Sequence, residues 1–253
     1  MAPQHDNPAA RLRDVLVAVH ARFPGQRDQE AILGWAAFAQ TLEVDENSAA
    51  GVHAIASVIQ LPATIVAAVR ALGEDSDEEE HLLFGLDTLE SALSGVAARK
   101  PLYQVFAEIV PGGHVPKSAA AHGLLSISRA LHRANPTQPL SAEDLTRLES
   151  LITEMMSEVS AGALPTQLRI LLLSHLHSML QAVHISRVTG REDIEATFDA
   201  LFGSVIRRPE HVESMRETGF VERFRDWINS VNGIISIGTG TVGLGQQVMR
   251  MLG

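Results

Sequence analysis

Ile234-Ile235-Ser236-Ile237-Gly238-Thr239-Gly240-Thr241-Val242-Gly243 is the one stretch of this 253-residue chain that could make it an α/β protein. Its β-branched residues run into G-x-G-x-x-G, the turn that opens a dinucleotide-binding βαβ unit. Such a unit takes about 30 residues, with an acid about 20 positions on to hold the ribose. Residues 244–253 supply neither a second strand nor an acid. A lone strand cannot bury itself, and nothing upstream reads as its partner. The glycine motif is therefore read as a false positive, and no cofactor is expected.

Upstream, apolar residues recur at helical spacing and the punctuation suits helices. Asn7-Pro8 supplies an N-cap and an N1 proline for a helix carrying Leu12, Val15, Leu16 and Val19. Ile32, Trp35, Ala36 and Phe38 mark a second helix. Val52, Ile55, Val58 and Ile59 mark a third, which Leu61-Pro62 is expected to break, leaving a short helix over 63–72 capped by Gly73. Ser76 opens a capping box for one helix carrying Leu82, Leu83, Leu86, Leu89 and Leu93. Pro101 opens another. Further helices are expected over 117–133, from Ser141 to Ser160, from Pro165 to Val188, from Thr189 to Gly203, and from Pro209 on. The last carries Val212, Met215, Phe220, Phe224, Trp227 and Val231 on one stripe. The expected fold is an all-α multi-helix globular bundle, with a body over 8–230, a subdivision near the 111–116 loop, and a glycine-rich, uncharged segment over 231–253.

Composition narrows the function. The net charge is −10 and no Lys/Arg run exceeds Arg207-Arg208, which argues against a nucleic-acid binder. The chain has no cysteine, so disulfides and thiolate metal sites are excluded. Residues 1–7 are polar and do not read as a secretory signal, so a cytoplasmic protein is expected, with membrane association through its C-terminal segment.

Candidate chemistry is thin. The acidic run Glu74–Glu80 lies where a helix dipole favours negative charge, and it lacks the spacing of a calcium loop. His177 and His184 share a helix face but lie two turns apart, too far for one ion. They read as partners in interhelical hydrogen bonds. His114, His122 and His132 are scattered, and no hydrolase, zincin or phosphate-loop motif is present. No catalytic, cofactor or metal residue is assigned. The competing class is an enzyme with an unrecognised site in a helical cleft.

The C-terminal segment carries the functional expectation. No charged residue occurs from Trp227 to Met249, a length that spans a bilayer as a helix. Ser236/Gly240, Thr239/Gly243 and Thr241/Gly245 place small residues four apart, which lets helices approach closely in lipid. Alternatively, Ile235, Ile237, Thr239 and Thr241 alternate on one strand face, close to a steric-zipper pattern. Residues 234–243 loosely resemble the short amyloid-signalling motifs that end some microbial cell-death proteins, in which a helical domain precedes a glycine-containing β-prone tail. That resemblance implies a cell-death or defence role. The expected function is thus a non-enzymatic effector or interaction protein that oligomerises with its own copies when active. Its membrane or self-association residues are Trp227, Ile234, Ile235, Ile237, Gly238, Gly240, Val242, Gly243 and Leu244. The other reading is a structural or scaffold protein whose tail is buried as core.

Overall fold

The structure is a computed structural model that describes residues 5–110, 115–137 and 139–235. The chain is an all-α, multi-helix protein, and among the described residues there is no strand. An isolated antiparallel bridge joins Leu33 to Pro101. Two compact units divide the chain, one over 1–138 with 187–190, the other over 139–186 with 191–253. The division falls beside the Asn135–Pro139 loop.

The first unit holds α1 (Pro8–Arg22), α2 (Gln26–Glu30), α3 (Gly34–Leu42), α4 (Ala49–Arg70), α5 (Ser76–Leu83), α6 (Leu86–Ala97), α7 (Leu102–Ile109) and α8 (Ala119–Ala134). Helix α1 starts as its sequence requires. The Asn7 carboxamide oxygen accepts from the Ala10 N–H at 3.0 Å, and Pro8 sits where no backbone donor is needed. The same side chain's Nδ2 donates to the Ser128 carbonyl at 3.1 Å and to its hydroxyl at 3.2 Å, fixing α1 on α8. Beside it, the buried Arg11 guanidinium pairs with Asp6 at 3.4 Å and donates to the Thr189 carbonyl at 2.6 Å. Helix α1 packs on α3, α4 and α8, and Leu12, Leu16, Phe38, Ile55, Ile65 and Leu124 fill the space between.

Three sequence expectations change in this unit. Helix α4 runs unbroken through Pro62, although proline removes one helical hydrogen bond and costs about 3 kcal/mol in a helix interior. Leu61 and Pro62 lie on the buried face with Val58 and Ile65, and burial of that face holds the helix together. The cap of α5 is Asp75, not Ser76; its carboxylate accepts from the Asp77 and Glu78 N–H groups. The single helix expected over Leu82–Leu93 is two, because Gly85 takes a left-handed backbone (φ +77°) between α5 and α6.

The second unit holds α9 (Ala142–Ala161), α10 (Thr166–Thr189) through Ser186, α11 (Arg191–Ile206), α12 (Pro209–Glu217) and α13 (Val221–Ile235). Ser141 and Asp144 form a capping box at the start of α9. The helix expected from Pro209 is also two, parted at Gly219, whose φ is +64°. Helix α11 continues past Gly203 to Ile206. Helix α13 lies on α9, and its apolar stripe closes the core with Leu148, Ile152, Met155, Leu176, Met179 and Phe198.

Candidate functional site

The C-terminal residues singled out in the sequence fall into two groups. Trp227, Ile234 and Ile235 belong to α13 and are core residues, exposed by only 5%, 3% and 4%. The Trp227 indole N–H donates to the Leu151 carbonyl of α9 at 2.9 Å. Its ring stacks on Phe224, centroids 5.7 Å apart, and tilts against Phe198 at 6.1 Å. Ile234 and Ile235 therefore do not begin a strand. Their spacing from Phe224, Trp227, Ile228 and Val231 continues the helical stripe, and burial of that stripe outweighs their β-branched preference. Ile237, Gly238, Gly240, Val242, Gly243 and Leu244 lie outside the described residues.

The histidine stripe of α10 behaves partly as read. His184 Nε2 lies 3.3 Å from Glu149 Oε1 on α9, an interhelical contact. His177 instead bonds its own helix, Nδ1 lying 2.7 Å from the Leu173 carbonyl. The acidic run is structural at Asp75, which caps α5, and at Glu79, which lies 3.3 Å from Arg70 Nε. Among the described residues no three or more His, Asp or Glu side chains group as metal ligands. His114 lies outside the described residues. Helix α4, with mean hydropathy 1.8, is the one described helix long and apolar enough to cross a membrane, and its Ile55–Val69 face is core.

The cluster with the most chemical content was not singled out in the sequence. His5, Ser126, Arg129, His132 and Arg133 line an open cavity of about 480 Å³ in the first unit. Arg129, His132 and Arg133 stand at i, i+3 and i+4 on α8, hence on one face of its last turns. His5 comes from the segment before α1. Its ring stacks on that of His132, centroids 3.8 Å apart and planes 26° apart. The Asp6 N–H donates to the Thr137 carbonyl at 3.4 Å and the Thr137 hydroxyl donates back to the Asp6 carbonyl, so this segment is strapped beside the end of α8.

The electrostatics of this cluster are one-sided. Among the described residues no carboxylate lines the cavity. Asp6, the nearest acid in sequence, is engaged by Arg11. Among the described residues, neither Arg129 nor Arg133 has an ion pair. Burial, then the His132 ring, then the Arg129 guanidinium, hold His5 below the usual histidine range. The Nδ1 atoms of His5 and His132 are both buried without a hydrogen-bond partner among the described residues. Positive and proton-accepting groups thus converge with no acid among the described lining residues. The basic run on α8 was legible in sequence; its meeting with His5 was not.

Comparison with family models, curated proteins and solved structures finds no match for this chain.

Proposed function

We propose that the protein is a non-enzymatic helical effector or interaction protein whose C-terminal segment provides the output, by conditional membrane insertion or by self-association. The observation that carries this reading is the continuity of α13 with the uncharged stretch. No charge occurs from Trp227 to Met249, and the described part of that stretch is anchored by Ile234 and Ile235 in the second unit's core. An anchored start with an uncharged continuation suits a segment presented to lipid or to another copy. The loose resemblance to amyloid-signalling motifs supports a cell-death or defence setting for that output.

Burial at Ile234 and Ile235 also favours a second reading, in which the segment continues as core. One comparison separates the two. The full chain and a 1–235 truncation, which keeps all of α13, are tested for liposome leakage and thermal stability. The effector reading expects leakage from the full chain only, with closely similar melting. Leakage from neither, with a truncation that melts lower, makes the segment core and ends the effector reading. Cross-β assembly is reported separately by dye-binding fibres of a 236–253 peptide, abolished by Gly238→Pro.

A further inference from the structure

We propose that the cavity between His5 and the end of α8 binds the phosphate group of a small phosphorylated ligand, held by Arg129 and Arg133 with the His5–His132 pair. This site is independent of the C-terminal segment.

The helix dipole is the simplest competing explanation for basic residues here. Cations in the last turn of a helix stabilise it. That explains His132 and Arg133, which stand in the last turn of α8. It leaves Arg129 a turn earlier, and it does not explain why His5, from a different segment, is stacked into the same cluster. In a chain of net charge −10, two arginines facing one cavity, with no carboxylate among its described lining residues, form a local basic patch. Stacking on the His132 ring at 3.8 Å beside the Arg129 guanidinium penalises protonation of His5. An anion in the cavity removes that penalty, and binding then draws a proton onto His5.

The donor set selects the anion. Two guanidinium forks and two imidazoles offer more N–H groups than a carboxylate has lone pairs directed at them, whereas a phosphate presents three acceptor oxygens and up to two charges. A polyanion fits poorly, because the remaining surface of an acidic chain repels an extended nucleic acid. A volume of about 480 Å³ accommodates a phosphorylated small molecule.

The test is calorimetric titration of the full chain with inorganic phosphate, glycerol phosphate and acetate, with histidine ring resonances followed in parallel by NMR. Saturable phosphate binding that shifts the His5 and His132 ring signals is expected. Arg129→Gln and Arg133→Gln should each weaken it about tenfold, from loss of a charge-assisted hydrogen bond. Arg147→Gln, an exposed charge loss on α9, should leave it unchanged. Glycerol phosphate binding more tightly than inorganic phosphate identifies an organic phosphate as the ligand, and equal binding identifies the free ion; either supports the site. Sulfate does not titrate near neutrality, so the pH dependence of its binding belongs to the protein. Its affinity should rise from about pH 8 to about pH 6, and a His5→Gln/His132→Gln double variant should lose that rise. Helical circular dichroism checks that each variant is folded. No saturable binding, acetate binding as well as phosphate, or equal weakening by Arg147→Gln would overturn the proposal.

Discussion

Trp227 shows how one side chain's role depends on what its ring and its N–H each find. Beside an uncharged run, a tryptophan suits a membrane interface. Here the ring is packed among Phe198 and Phe224 and the indole N–H is spent on the Leu151 carbonyl. Trp227→Ala should therefore cost about 3–5 kcal/mol of unfolding free energy. Trp227→Phe should cost less, about 0.5–1.5 kcal/mol for the lost hydrogen bond, since the Leu151 carbonyl lies inside α9 and keeps its helical donor. Urea unfolding followed by circular dichroism measures both, and two variants as stable as the wild type would remove Trp227 from the core. Asn7 is the converse case, a residue whose sequence reading was right but incomplete. Its cap on α1 was legible in Asn-Pro; its bonds to Ser128 join positions 121 apart and depend on the packing of α1 on α8.

At the scale of elements, breakers were the least reliable signals. Pro62 does not break α4, whereas Gly85 and Gly219 do end helices, each with a left-handed backbone that glycine adopts without strain. Proline's cost is a fixed local quantity that a buried face can exceed; a positive φ is a change of direction that burial does not reverse. Gly51, in the first turn of α4, matters for a different reason. Its backbone is ordinary, but a Cβ there would collide with the Asp45 carbonyl of the preceding turn. That oxygen also receives the Ser48 hydroxyl at 2.8 Å and the Ser48 N–H at 3.1 Å, so it is not free to move away. Gly51→Ala should destabilise the protein by about 1–3 kcal/mol as an overpacking change, despite alanine's better helix propensity. A thermal melt of the variant decides it, and a rise in melting temperature would show that the turn yields.

Across the whole molecule, two histidines in different units set the direction of the pH response. His175 in the second unit is held below its ordinary range by burial, and His5 in the first unit by burial and its cationic neighbours. A lowered histidine pKa means that the unfolded chain takes up the proton first. Stability from both groups is fully present above the ordinary histidine value of about 6.5 and is lost as pH falls from there toward the lowered values. Denaturant midpoints measured from about pH 8 down to about pH 5 should fall through that window. His175→Gln should flatten the fall, whereas an unchanged slope would assign it to other groups. Phosphate, if it occupies the cavity, should oppose the His5 contribution by favouring its protonated form.

The all-α class, most helix starts and the capping residues Asn7 and Ser141 were determined by the sequence alone, because each depends on contacts within one or two turns. The unbroken α4 and the helical state of Ile234 and Ile235 were decided only by tertiary structure. In each case burial of a whole face outweighs a local preference. The cavity lies at the far end of that range. Arg129, His132 and Arg133 share a helix face by sequence spacing, but His5 meets them through tertiary packing, in a segment where Asn7 is bonded to Ser128 and Asp6 to Thr137. Such long-range bonds leave no periodic trace in a sequence, since packing alone selects which distant residues meet.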